Sequence, residues 1–409
     1  MATAQSIPLT LRVEETDVLP QVSTAEELRD RAGSCFCELM PHSALTASEL
    51  FPGHVAIRTG ERDKPDWWSD DDSNVAALHL FKLRDVFWFP SFGVVVTATG
   101  EVMRLPMEDA AYLSPDLTAL PGVAVVSGGS TVFTVPEGVG QLGRVALTMA
   151  LGGNVNYGHF VLDCLPAAAS IVKTGVLGDF VFGFPPLKLW QRRHLELLGI
   201  APSEFGGDVY RVGEIVYTTG MHHYLHTPNL NYQDVRERQL AALGRTVDRG
   251  PRRLYLSRAN YPNRTMASED ELRRRLLRLG FTRVDPATMS VDEQIALFRG
   301  AEVVVGSAGA AFANVLYCNP GTLIIEIQPA GMENQWVRNI CLQNRCDFVA
   351  YFCNVIDGDP LRPEINLRYD IDVDRFMRTI AAFPPLDKPP PAIGWYEALS
   401  GVLRSLRGS

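Results

Sequence analysis

At 409 residues the chain is long enough for two domains and for a hydrophobic core that needs no disulfide or metal staple. Apolar residues make up 46% and charged residues 21%, the balance of a globular protein rather than a disordered one. With 38 Lys and Arg against 47 Asp and Glu the net charge is −9, which excludes a generic polyanion binder, because nucleic-acid affinity rests on a surplus of cations.

Met1 to Leu11 lacks the charged start and apolar run of a signal peptide. The seven cysteines (Cys35, Cys37, Cys164, Cys318, Cys341, Cys346 and Cys353) are odd in number and contain no CxxC pair. Both observations favour reduced thiols and a cytoplasmic location. Cys164 and Cys318 sit in apolar surroundings and read as core.

Ser23 and Glu26 are spaced as a capping box and predict an early short helix. Residues 1–140 otherwise read as β-rich, with strands over Val86–Val96 and Val123–Val135 interrupted by Gly, Ser and Pro. From about residue 145 strands and helices alternate, the pattern of a parallel sheet flanked by helices. Helices are predicted over 158–174, 189–199 and 232–245, with a strand at Val209–Tyr217. Polar TVDRGPRR at 246–253 marks the domain boundary. The division is therefore an N-terminal domain over 1–248 (β-rich to 140, α/β from 141), a C-terminal domain over 249–385 and a tail over 386–409.

In the second domain the predicted order is clear. A strand at Leu254–Ser257 precedes a helix capped by Ser268 and Glu271 and stopped by Gly280, then a helix capped by Ser290 and Glu293. Strand Glu302–Gly306, helix Ala310–Tyr317, strand Thr322–Ile327, helix Asn334–Arg345 and strand Phe348–Asn354 follow. Val303 to Ile325 is free of charge and long enough for a membrane span. Gly306, Gly309, Pro320 and Gly321 break it, so it reads as strand, helix and strand, uncharged because central parallel strands are buried on both faces.

Four features bear on chemistry. Gly306-Ser307-Ala308-Gly309-Ala310 joins a buried strand to a helix, where free N–H groups and glycines suit a phosphate; the same turn also serves close helix–strand packing. It matches neither GxGxxG nor the P-loop. Arg258, at a strand end, and Arg264, in the following loop, can clamp a diphosphate or form surface ion pairs. Glu326 ends an apolar strand and needs a partner, for which ribose hydroxyls are suitable donors. His159 and Asp163, four apart, share a helix face as base and orienter or as a simple hydrogen-bonded pair.

Weaker candidates remain. His222, His223 and His226 form an HHxxH cluster without a fourth ligand. Asp70–Asp72 and Asp357–Asp359 read as solvated turns, and Arg273, Arg274, Arg275 and Arg278 as the solvent face of a helix whose inner face is Leu272, Leu276 and Leu279. In the tail, Trp395, Leu399, Val402, Leu403 and Leu406 are spaced for one apolar helix face. That face either packs on the first domain or, with Arg404 and Arg407, touches a membrane surface peripherally, which would place the protein at the inner face of a membrane.

YLSR at 255–258, Arg264, the Ser268–Glu271 region, Gly280-Phe281, Ser290 with Gln294, and GSAGAAFANVLYCNPGTLIIEIQP at 306–329 together resemble glycosyltransferase family 61, particularly its bacterial members linked to polysaccharide biosynthesis. NYGHFVLDCLP at 156–166 is similar to the family's first-domain signature. The resemblance covers about residues 150–350. It implies an α/β, GT-B-like fold of two Rossmann-like domains facing a cleft. The activity implied is inverting transfer from a nucleotide-sugar, UDP-linked among the options, to a hydroxyl of a glycan or small-molecule acceptor, with no cofactor and no bound metal. By position, Arg258 and Arg264 would face the diphosphate. Ser307, Gly309, Ala310 and Asn314 would form the donor loop, and Glu326 would meet the nucleoside. His159 and Asp163 would serve catalysis, with Asn156, Tyr157 and His223 on the acceptor side.

The chain departs from the family at Ala308, where a His is common. A nucleotide-sugar epimerase and a non-catalytic carbohydrate- or nucleotide-binding module are the rival readings, the latter motivated by Ala308. A metal-dependent transferase using Asp70–Asp72 is a third.

Overall fold

The computed structural model describes residues 5–11, 19–40, 56–65, 77–103, 117–126, 128–148, 153–218, 231–244, 250–358 and 367–386. The HHxxH histidines, Asp70–Asp72, Asp359 and the tail helix lie outside the described residues. The protein is a mixed α/β molecule of two compact units. One comprises Met1–Ala44 with Asn74–Ala242, the other Leu45–Ser73 with Leu243–Ser409.

The first unit is built on a ten-stranded mixed sheet. Gly140–Leu147 pairs in parallel with Val181–Phe184 on one side and with Tyr210–Thr218 on the other. Tyr210–Thr218 then pairs antiparallel with the long strand Leu78–Phe89, so the β-rich early residues and the later α/β residues share one sheet. Phe81, Leu83, Trp88, Val145, Val212 and Ile215 are buried along it. Each such side chain contributes about 1.5–3 kcal/mol when fully removed from water.

The second unit carries a six-stranded sheet in which each neighbouring pair is parallel. Its order is Thr282–Val284, Arg253–Leu256, Val303–Ser307, Leu323–Pro329, Asp347–Cys353, Ala56–Gly60. The last strand comes from the early segment 56–60, which the sequence division assigns to the first domain, and it pairs with Asp347–Cys353. Numbered along the chain from Arg253, the other five run 2-1-3-4-5, a doubly wound order whose switch point lies between the first and third strands. Val303, Val305, Leu323, Ile325 and Ile327 pack on one face with Leu272, Leu276, Phe376 and Ile380. The 3-10 helix Ala310–Tyr317 packs against both the helix Val291–Arg299 and the helix Trp336–Asn344.

Every residue of strands Val303–Ser307 and Leu323–Pro329 is buried, which is why the stretch between them carries no charge before Glu326. No helix among the described residues is long and apolar enough to cross a membrane. All seven cysteines are buried free thiols.

Two predicted caps shift. The early helix, Ala25–Asp30, is capped by Thr24 and Glu27, one residue later than expected. Helix Glu269–Arg278 has Ser268 at its N-cap, yet the Ser268 hydroxyl makes no capping bond; its amide donates to Asp370 Oδ1 at 2.9 Å instead. Ser290 and Glu293 do form the expected box.

Candidate active site

In the first unit the chain enters a helix at Asn156, whose side-chain oxygen accepts from the Gly158 amide at 2.8 Å. The helix runs in three pieces: an α turn Tyr157–His159, a π turn Phe160–Cys164 and an α-helix Leu165–Thr174. Pro166 accounts for the wide turn. It has no N–H for the Leu162 carbonyl and its ring crowds that carbonyl, so the backbone loosens just before it. Such turns often occur at functional sites.

His159 and Asp163 face each other from either end of this turn. Nδ1 of His159 lies 2.9 Å from Oδ2 of Asp163. The Asp163 side chain is 2% exposed and the His159 side chain 28%. An ionised Asp163 makes Nδ1 the donor, which leaves the ring lone pair on Nε2. Only the imidazole of the pair reaches solvent. The Tyr157 ring lies 5.4 Å from the Trp190 ring and 5.7 Å from that of His194.

In the second unit, strands Arg253–Leu256 and Val303–Ser307 end side by side, with Leu256 paired to Gly306. This is the switch point, where open α/β sheets leave a crevice beyond the strand ends. Arg258 follows the first strand and Gly309 the second. A Cβ placed on Gly309 would fall well inside van der Waals contact of Arg258 Nη1, so the guanidinium lies directly on the turn. Arg258 Nη2 donates to the Asn263 carbonyl at 3.1 Å and the guanidinium carbon stands 5.4 Å from the centre of the Tyr261 ring. Its Nε is buried without a hydrogen-bond partner. No carboxylate among the described residues forms an ion pair with it. Burial pulls the Arg258 pKa below its ordinary value, the mark of a cation removed from water without an anion.

Around it, Ser307 is buried and receives a hydrogen bond from the Tyr369 hydroxyl. Ala308 is 2% exposed, its amide donating to the Ile327 carbonyl at 2.9 Å. Ala310 opens the 3-10 helix and is half-buried. Arg264 holds φ at 59°, unusual for a residue with a side chain, and its Nη1 approaches Met332 Sδ at 3.8 Å.

A family model described as Glycosyltransferase 61 matches residues 157–325. That span runs from Tyr157, beside the His159–Asp163 pair, through Arg258 and the Gly309 turn. This stretch belongs to glycosyltransferase family 61. A search of curated proteins gave no match. Glycosyltransferase membership implies a sugar donor and an acceptor. Of the residues expected to serve them, Arg258, Ser307, Gly309 and Ala310 come together at the switch point, and Arg258 also bonds the carbonyl just before Arg264. Asn156 and Tyr157 adjoin His159, and His223 lies outside the described residues.

Two expected donor residues, Asn314 and Glu326, lie inside the fold. Asn314 is wholly buried and its amide donates to Gln294 Oε1 at 2.9 Å, joining two helices. Glu326 is also wholly buried; Oε2 accepts from Gln328 Nε2 at 2.7 Å, while Oε1 has no partner. Burial pushes its pKa up to about 8. Sequence reasoning did not single out Glu269, which accepts from the Arg258 amide, or Asp285, which accepts from the Tyr261 hydroxyl. Glu269 was visible only as one acid among three opening a helix, and Asp285 had no motif at all.

Proposed function

We propose that the protein is an inverting glycosyltransferase of GT-B type that moves a sugar from a nucleotide-sugar, UDP-linked in the first instance, to an acceptor hydroxyl during polysaccharide biosynthesis. The observation that carries this reading is Arg258, a half-buried cation with no carboxylate partner, lying on Gly309 at the switch point of a parallel sheet. A cation so placed calls for an anionic ligand, and a nucleoside diphosphate supplies one. The second unit is then the donor-binding half and the first unit supplies the base.

In the reaction His159 Nε2 takes the proton of the acceptor hydroxyl while Asp163, almost fully buried, orients the ring and stabilises the imidazolium. The acceptor oxygen forms its bond to the anomeric carbon as the bond from that carbon to the phosphate oxygen breaks. The electron pair leaves with the nucleoside diphosphate, so the configuration inverts and charge grows on the leaving group. Arg258, Arg264 and the N–H groups opening the 310–317 helix meet that charge. With these donors present, turnover is expected to survive EDTA.

Calorimetric titration of the full chain with UDP, GDP and CMP tests the donor reading. Binding of one nucleotide, weakened about ten- to a hundredfold by Arg258→Ala, is the expected result. No binding of any of the three would favour a non-nucleotide module. Product analysis then separates transfer, which releases nucleoside diphosphate and a glycoside, from epimerisation, which isomerises the sugar without an acceptor.

A further inference from the structure

Arg258 is held tightly, yet nothing that holds it neutralises it. Glu269, the first residue of helix Glu269–Arg278, is 8% exposed. A single oxygen, Oε1, accepts from the Tyr255 hydroxyl at 3.1 Å, the Ser257 hydroxyl at 2.7 Å and the Arg258 amide at 3.0 Å. The carboxylate thus fixes the backbone of Arg258 and the two side chains before it. Asp285, just past strand Thr282–Val284, does the same for the following turn. Its Oδ1 accepts from the Tyr261 hydroxyl at 2.9 Å and its Oδ2 from Asn260 Nδ2 at 3.0 Å. Tyr261 in turn donates its amide to the Arg258 carbonyl at 2.8 Å and presents its ring to the guanidinium.

Two carboxylates, both later in the chain, therefore brace the arginine, and each acts on it through neutral intermediaries: an amide in one case, a phenol ring in the other. A direct ion pair would place the guanidinium equally well but would cancel the charge an anion requires. We propose that Glu269 and Asp285 are positioning residues that hold Arg258 over the Ser307–Ala310 turn as an uncancelled cation for a diphosphate. This rests on the donor reading above.

A double-mutant cycle on the full-length chain tests it, with UDP and GDP as titrants. Glu269→Gln and Asp285→Asn are each measured alone and combined with Arg258→Ala, or with Arg258→Lys should the alanine variant bind too weakly to titrate. Each carboxylate variant alone should weaken diphosphate binding about tenfold, the loss of one or two hydrogen bonds that set the geometry. Added to the arginine variant, each should cost little more, because the group it positions is already gone. An equal loss in both backgrounds, or wild-type affinity in the single variants, overturns the positioning role while leaving the donor reading in place. Unchanged affinity in Arg258→Ala, or no diphosphate binding by the wild type, removes the donor reading and this proposal with it. Should Glu269→Gln fail to fold, as judged by circular dichroism, Asp285→Asn in its half-exposed turn decides the matter alone.

Discussion

The His159–Asp163 pair shows how burial divides labour between two titratable side chains. Their spacing puts them on one helix face, and that much was legible from residue identities. Which of the two meets a substrate was not, because exposure depends on what packs over the helix. Asp163 is enclosed and His159 is not, so in the proposed mechanism it is the imidazole that takes the proton and the carboxylate that sets its tautomer. His159→Ala should lower turnover by roughly 10²–10⁴. Asp163→Asn should do likewise, because an amide no longer favours the Nδ1–H tautomer or stabilises the imidazolium. Both variants should keep the donor affinity of the wild type. Turnover measured as nucleoside diphosphate released from the donor checks the pair; near-wild-type rates in both would remove them from the chemistry. Asn156→Ala should cost about 1 kcal/mol of stability through the lost cap, read as a lower thermal midpoint.

The strand–turn–helix element at 303–317 contains two glycines with opposite tasks. A Cβ on Gly306 would lie 2.8 Å from Leu256 Cβ and 3.0 Å from the Leu256 carbonyl oxygen, inside the neighbouring strand. That backbone cannot yield without parting the two strands that frame the switch point. Gly306→Ala should therefore destabilise by about 1–3 kcal/mol. A Cβ on Gly309 would collide with the guanidinium end of Arg258 but with no backbone atom, the Ser307 carbonyl oxygen lying at an ordinary 3.7 Å, and its φ of 167° is ordinary extended backbone. Gly309→Ala should fold with wild-type stability and displace Arg258, weakening diphosphate binding about tenfold. Thermal unfolding and nucleotide titration of both variants separate the two roles. The turn itself was legible, since a glycine-bounded gap between an apolar strand and an apolar helix has few other meanings. The 3-10 character of the helix and the π turn before Pro166 were not, because both depend on how neighbouring carbonyls relax. The slip from Ser23 to Thr24 at the early cap has a similar origin: adjacent hydroxyl residues, each with a Glu three positions on, offer two equivalent boxes.

Across the whole molecule, alternating strands and helices made the four central strands of the second unit's parallel sheet readable, most to within a residue or two of their ends, whereas the short edge strand Thr282–Val284 was not. Strand Ala56–Gly60 escaped because its partner, Asp347–Cys353, lies some three hundred residues along the chain and no local pattern records so distant a pairing. Glu326 lies in the interior of that sheet and ties the stability of the fold to pH. Burial lifts its pKa from an ordinary 4.5 to about 8, opposed only by the hydrogen bond from Gln328. Between those values the unfolded chain has released a proton that the folded chain still holds. Stability from this group is thus complete below about pH 4.5 and declines as pH rises, by about 1.4 kcal/mol per pH unit, until the folded carboxyl ionises near pH 8. Glu326→Gln removes the titration and keeps the shape of the side chain. The variant should be close to wild type at pH 5 and progressively more stable than it toward pH 8. Denaturant unfolding at several pH values reads this difference; a gap between the two proteins that stays constant from pH 5 to 8 would show that Glu326 titrates alike folded and unfolded, and that its burial has been compensated by a partner.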